Sequence, residues 1–149
     1  MLEVGTSQMS VLDPTGSRKL LFDPSNRQAA RVGDILYVTF KNGEPFSGVL
    51  MSIKQRGVDS SVLLRNHLTR IATEMQIKIF SPLVKSMEVA QKTEKRKRRA
   101  RLYYLRDPKH DLGSVDKIVT QYLRKRAMLA SGGIGGSGTS RQGSRKPRR

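Results

Sequence analysis

The chain has 149 residues, with 29 Lys or Arg and 12 Asp or Glu, and it carries a formal net charge of +17. It contains no Cys and no Trp, which excludes disulfide scaffolds, thiolate metal sites and cysteine nucleophiles. No apolar run approaches the roughly 20 residues that a membrane span needs.

Residues 1–31 are predicted to form an extended, mostly irregular arm. The turn-forming pairs Asp13-Pro14 and Asp23-Pro24 divide this stretch into short apolar fragments. Acidic residues interrupt it, so it is a poor match to the Arg-rich, acid-poor sequences that direct proteins to mitochondria.

Residues 32–107 are predicted to hold a small all-β domain. Short apolar runs alternate with turn residues about every 8–12 positions, which is typical of a β-barrel or sandwich. The five predicted strands run from Ile35 to Phe40, from Phe46 to Ile53, from Ser61 to Asn66, from Thr73 to Phe80 and from Leu83 to Val89. Asn42-Gly43 predicts a type I′ hairpin turn, and Gly48 predicts a bulge or tight bend within the second strand.

Residues 108–130 are predicted to be a linker and a helix, and residues 131–149 a disordered basic tail. The helix runs from Ser114, its N-cap, to Ala130, with a basic cluster near the C-terminal end of the helix dipole. The tail combines six Gly with five Lys or Arg and no acidic residue, so it cannot form a core of its own.

Most of the positive charge lies in the last third of the chain. Residues 95–149 hold seventeen basic and three acidic side chains, whereas residues 1–94 are close to neutral. A near-neutral body followed by a basic arm is typical of proteins that bind a polyanion. RNA, DNA and anionic lipid are all candidates, and lipid is the weakest because no amphipathic stretch with aromatic anchors accompanies the basic run.

No constellation in the sequence predicts an enzyme. The two histidines, His67 and His110, have no carboxylate at metal-ligand spacing. Acidic residues such as Asp34 and Asp107 lie at predicted turns, where they are structurally ordinary. We therefore expect no catalytic residue, no metal and no cofactor.

The strongest functional signal is the segment from Lys95 to Arg106. Seven of its twelve residues are cationic, and Tyr103 and Tyr104 follow most of the cations. One interpretation is a solvated basic loop or a nuclear localisation patch. The more specific interpretation is a binding segment whose cations neutralise phosphates. In it, Leu102 and one tyrosine pack on the β domain while the other tyrosine stacks on a base or ribose.

Five motifs over about residues 31–107 occur in an order and spacing that resemble a known family. They are Gly33-Asp34, Phe46-Ser47-Gly48-Val49, Ile53-Lys54-Gln55-Arg56-Gly57, Ser81-Pro82-Leu83-Val84 and Ala100-Arg101-Leu102-Tyr103-Tyr104-Leu105-Arg106. Together they resemble the bacterial-type large-ribosomal-subunit protein family "L-nineteen". The helix and tail replace the short basic ending of bacterial members, and the chain is similar to a mitochondrial, fungal-type member.

The resemblance implies a small SH3-like β-barrel and a structural, non-catalytic role in translation. The implied partners are large-subunit ribosomal RNA, neighbouring ribosomal proteins and small-subunit RNA at the subunit interface, with no membrane span and no homo-oligomer. The implied location is the mitochondrial matrix, with the bacterial cytoplasm or a plastid as alternatives.

The resemblance also implies a set of RNA-binding residues. By motif these are Lys54, Arg56, Arg65, Lys95, Arg98, Arg99, Arg101 and Arg106, supported by Tyr103 and Tyr104. The complete predicted set adds the neighbouring cations Arg96 and Lys97 and the helix cations Arg124 and Lys125.

Two other functions stay open at this point. One is a regulatory nucleic-acid-binding module with the same barrel that associates only transiently. The other is a basic enzyme acting on RNA, and the lack of a carboxylate cluster or of paired histidines argues against it.

Overall fold

The fold is a single antiparallel sheet flanked by helical segments, seen in a computed structural model that describes residues 2–131, with residues 2 and 3 as backbone only. The strands are β1 (Ile35–Phe40), β2 (Pro45–Lys54), β3 (Ser61–Leu68), β4 (Ile71–Lys78) and β5 (Val84–Gln91). Helices α1 (Leu2–Leu12) and α2 (Ser17–Leu21) precede the sheet; a 3-10 turn (Tyr103–Arg106) and α3 (Asp116–Ser131) follow it. The mainly β class, the five strands and the C-terminal helix are thereby confirmed. The predicted tail lies outside the described residues except for Ser131.

The sheet is not closed into the barrel that the resemblance implied. Its strand order is β4-β3-β2-β1-β5, which leaves β4 and β5 as the two edges. The connection between these edges is held by Arg18 of α2 instead of by strand pairing. Its guanidinium donates hydrogen bonds to the carbonyl oxygens of Ile79 (3.2 Å), Ser81 (3.1 Å) and Val84 (2.5 Å).

The N-terminal segment is helical and packed, which corrects the expected extended and irregular arm. The buried carboxylate of Asp13 accepts the backbone N–H groups of Arg18 (2.9 Å) and Lys19 (3.1 Å), and so stabilises the start of α2. Phe22 and Ala30 are buried in the core of the sheet. The sequence did not predict these helices because each apolar fragment is too short to show a helical period. The strand against which the segment packs lies far away in the sequence.

Apolar side chains pack on both faces of the sheet. Successive residues of a strand point to opposite faces: Leu36 and Val38 of β1 belong to one cluster, and Ile35 belongs to the other. The first cluster is completed by the N-terminal segment. The second is covered by the buried residues Leu102, Leu105, Val115 and Val119 from the 3-10 turn, the linker and α3. The sheet is therefore the middle layer, and the segment after β5 is bound to it.

The β1–β2 hairpin is confirmed, but its turn is not of type I′. The N–H of Gly43 donates to the carbonyl oxygen of Phe40 (3.2 Å), and Gly43 has a φ of 93°. Asn42 does not share this left-handed conformation, which a type I′ turn requires at both central residues. The loop is a turn over Lys41 and Asn42 followed by a left-handed glycine.

Gly48 lies where two backbones approach closely, which corrects the predicted bulge or bend. A Cβ atom at this position would lie 2.8 Å from the carbonyl oxygen of Arg65 on β3. The β1–β2 register runs regularly through Gly48, and the shift in the β2–β3 register falls between Leu50 and Ser52.

Replacing Gly48 by alanine is expected to lower the free energy of unfolding by about 1–3 kcal/mol, the usual cost of overpacking. The new methyl group would clash with the main chain of β3. Because β3 is paired with β2, its main chain cannot move away without disturbing the β2–β3 ladder. Urea denaturation followed by circular dichroism measures the change. Gly5→Ala is the matched control, because a Cβ at Gly5 in α1 meets no atom of the described residues within 4 Å. Equal destabilisation by both variants would contradict the close-approach argument.

Candidate nucleic-acid interface

The basic loop, defined as residues 95–101, is fixed to the sheet on both sides. Before it, the buried carboxylate of Asp34 accepts the backbone N–H of Thr93 (2.8 Å). After it, the N–H of Leu102 donates to the carbonyl oxygen of Met51 (2.9 Å). The cationic loop is thus attached to the folded sheet at both of its ends. Asp34, which the sequence placed at an ordinary turn, is one of those points.

The six cations of the basic loop are exposed, and within the described residues none of them is paired with a carboxylate. Every side chain from Lys95 to Arg101 is accessible to solvent. None of the six forms a salt bridge with a carboxylate within the described part of the chain. Because no carboxylate among the described residues competes for these charges, they are free to neutralise an external polyanion.

The two tyrosines after the loop have different environments. Leu102 is fully buried, and Tyr104 packs partly buried against the same cluster, so one leucine and one tyrosine anchor the segment as predicted. Tyr103 is exposed, with the Arg106 guanidinium 5.0 Å from its ring centroid. The Arg99 guanidinium lies 5.6 Å from the ring centroid of Tyr104. Both contacts are within the distance typical of cation–π interactions.

Two of the predicted RNA-binding arginines are bound to carboxylates inside the protein. Arg65 pairs with Glu74 and Asp111, each at 2.8 Å, and its side chain is only 11% exposed. Arg106 binds both carboxylate oxygens of Glu74, at 2.9 and 2.8 Å, and is about half exposed. RNA contacts from these residues stay predictions, and the geometry favours a structural role for Arg65.

The same ion-pair network fixes the linker to the sheet. The His67 Nε2 atom lies 2.6 Å from Asp111 Oδ2. Burial acts to raise the pKa of Asp111, but hydrogen bonds from Arg65, His67 and the Gly113 N–H outweigh it and lower the pKa to about 2. The hydrogen bond from Arg106 likewise lowers the pKa of Glu74. The carboxylates therefore stay ionised at neutral pH.

Replacing Asp111 by asparagine is expected to lower the free energy of unfolding at neutral pH by about 2–3 kcal/mol, because Arg65 loses a largely buried partner. A carboxylate with a depressed pKa stabilises the fold above its unfolded-state pKa, and that contribution is lost as the pH falls towards the folded-state value. The difference between wild type and variant should thus shrink by up to about 2 kcal/mol between roughly pH 5 and pH 2.

Urea denaturation across this pH range provides the measurement. Asp59→Asn is the matched control, because Asp59 pairs with Lys78 (2.9 Å) on the exposed surface and should matter little to stability. A pH-independent difference between wild type and Asp111→Asn would show that the Asp111 charge is not what stabilises the linker.

The remaining predicted contacts lie on the sheet end and on α3. Lys54 and Arg56 are exposed at the end of β2 and in the turn after it, and Lys54 lines a small depression with Tyr103. Arg124 and Lys125 are exposed on α3. The structure therefore exposes these cations on elements other than the basic loop.

Helix α3 is fixed by polar contacts that the sequence did not reveal. Tyr122 and Arg126 both donate to Glu88 Oε2, at 2.7 and 2.8 Å. The buried side chain of Asn66 accepts the N–H of Val115 (3.2 Å). The predicted helix is confirmed, but it begins at Asp116, so Ser114 lies two residues before it and is not the N-cap. Ser114 Oγ accepts the N–H of Asp116 (3.3 Å), and the first helical carbonyl is that of Val115, which accepts the N–H of Val119 (3.1 Å). In the sequence, the one signal of these contacts was Asn66, a polar residue inside an apolar strand.

Metal-ligand clusters and membrane-spanning helices are both absent from the described residues. Within residues 2–131, no group of three or more His, Cys, Asp or Glu is arranged to hold a metal ion. Over the same described range, the helices are all too short or too polar to cross a membrane. An exposed basic loop on a small β-sheet is typical of proteins that bind nucleic acid.

Comparison with known proteins identifies the family within this class. Residues 24–118 match the ribosomal protein L19 family. The chain belongs to that family, which confirms the resemblance. The family consists of ribosomal proteins that are structural, not enzymatic, in agreement with the prediction that the chain is not an enzyme.

The similar curated proteins are components of large ribosomal subunits. The chain is 45% identical to large ribosomal subunit protein bL19m of Neurospora crassa over 141 residues, covering 91% of this chain and 54% of that protein. It is 35% identical to bL19m of Schizosaccharomyces pombe over 125 residues, covering 78% and 69%. It is 31% identical to bL19 of Borreliella afzelii over 83 residues, covering 51% and 68%. The chain thus spans about half the length of the Neurospora protein.

Proposed function

We propose that this protein is a structural constituent of the large subunit of the mitochondrial ribosome and binds large-subunit ribosomal RNA. The observation that carries the proposal is the basic loop of a member of the L19 family. Its six cations are exposed and form no salt bridge within the described residues, and the loop is attached to the sheet through Thr93 and Leu102. The names of the two fungal relatives, both bL19m, support the mitochondrial location.

Recognition depends on phosphates and shape. A-form RNA hides its base edges in a deep, narrow groove and presents mainly phosphates and 2′-hydroxyls. The guanidinium groups of Arg96, Arg98, Arg99 and Arg101 bind phosphate oxygens in pairs, which lysine cannot do. If all six loop cations neutralise phosphates, log affinity falls with log salt concentration with a slope of about −4 to −5.

The finer partners follow from the family. We place the protein beside other large-subunit proteins, near the subunit interface, where small-subunit RNA is within reach, and as a single copy without homo-oligomer contacts. The exposed cations at the end of β2 and on α3 support such additional contacts, because they lie on elements other than the basic loop.

Density-gradient sedimentation of a cell extract tests the proposal. The protein should sediment with the large mitochondrial subunit and stay there through a moderate salt wash. A transient regulatory factor would leave the particle in that wash. Recovery of the protein only at the top of the gradient in gentle buffer would refute a structural role.

A further inference from the structure

A cleft of about 480 Å³ separates the basic loop from the N-terminal segment. The exposed side of the cleft is formed by residues 96–100 of the loop. Its floor is formed by Phe22, Ala29, Ala30 and Val32, together with Ile53 of β2. The volume lies within the range of about 300–1,000 Å³ that is typical of sites for single small molecules.

Contacts independent of any ligand hold the two sides of the cleft in place. The aliphatic part of Lys97 lies against Gly33, so closely that a Cβ at Gly33 would be 3.0 Å from Lys97 Cγ. Across the cleft, the Gln55 side-chain amide donates to the carbonyl oxygen of Phe22 (2.8 Å). With the attachment of Thr93 to Asp34, these contacts form the cleft before anything binds.

The floor of the cleft is apolar, and the side formed by the basic loop is cationic. Its floor residues carry only aliphatic or aromatic side chains, and Ala29 and Ala30 are almost completely buried. Arg31 and four consecutive cations of the basic loop stand around it, and none of the described residues that line it is acidic. A matching ligand has a flat face that packs on apolar atoms and negative charge on either side. A nucleotide within an RNA strand has this character.

We infer that the cleft receives one unpaired, extruded nucleotide of the bound RNA. The base packs between the apolar floor and a loop guanidinium, and the flanking phosphates bind the neighbouring cations. A base stacked within a duplex cannot enter, so the site selects RNA with a bulged or looped-out nucleotide. This inference rests on the proposed RNA binding and deepens it, because phosphate contacts alone would not discriminate such a nucleotide.

The experiment compares two RNA hairpins that differ only by one unpaired nucleotide, made as the fluorescent base 2-aminopurine. The full chain should bind the bulged hairpin about tenfold more tightly, as one base-stacking contact provides, and the fluorescence should change on binding. Ala100→Phe places a ring in the cleft and removes no cation. It should abolish the preference, which is the ratio of two affinities measured on the same variant and is therefore insensitive to any change in the phosphate contacts common to both hairpins.

Ala127→Phe on α3 is the matched control, because Ala127 is also exposed and does not line the cleft. It should keep the preference, and circular dichroism melting checks that both variants fold. Equal affinity of the wild type for the two hairpins overturns the inference but leaves RNA binding intact, as does a preference retained by folded Ala100→Phe. Failure to bind either hairpin overturns the proposed function itself.

Discussion

Replacing Arg98, Arg99 and Arg101 together by alanine is expected to weaken RNA binding about 100-fold. It should also reduce the slope of log affinity against log salt concentration by roughly three. All three side chains are exposed and have no carboxylate partner within residues 2–131. Their charge is therefore available to phosphates. Stability should change little, because Arg101 pairs with Ser52 through its backbone and exposed substitutions usually have small effects.

A second triple variant, Lys41, Lys85 and Lys117 to alanine, removes the same charge from exposed positions elsewhere. It should lower affinity only modestly, through the long-range field of the protein, and leave the slope nearly unchanged. Filter-binding titrations over a range of salt concentrations measure both quantities. Equal losses for the two triple variants would mean that binding follows net charge, and the assignment of the basic loop would be wrong.

The strands were predictable because their signal is local. The β-branched and aromatic run from Ile35 to Phe40 coincides with β1 to the residue, and the later strands differ only at their ends. The N-terminal helices were not predictable in this way. Asp13 stabilises the start of α2 across five residues of sequence, and α1 packs its Met9 and Leu12 on a core that other segments build.

Within the candidate site, too, the local features were predictable from the sequence and the tertiary ones were not. The basic loop was evident because its cations are consecutive, and consecutive charge needs no tertiary structure to be seen. The roles of Arg65 and Asp111 were hidden, because they lie 46 positions apart and meet only in the folded chain. The cleft was hidden for the same reason, since its floor and its cationic side come from distant parts of the chain.

Replacing Leu102 by alanine is expected to lower the free energy of unfolding by about 2–5 kcal/mol, the usual cost of truncating a fully buried leucine. The leucine joins the sheet to the segment that carries the basic loop, so the variant should also bind RNA more weakly although no cation is lost. A loop that is loosely attached must be ordered on binding, and this ordering costs affinity. Chemical denaturation and RNA titration measure the two effects.

Leu129→Ala separates this effect from a general loss of apolar surface. Leu129 is 84% exposed on α3, so its truncation should change the free energy of unfolding by no more than about 0.5 kcal/mol and leave RNA affinity as it is. If Leu102→Ala were destabilised but bound RNA like the wild type at a temperature where both are folded, the buried anchor would serve stability alone. The loop would then bind RNA as a flexible polycation. A parallel loss of stability and affinity instead means that the sheet presents the cations in a fixed arrangement.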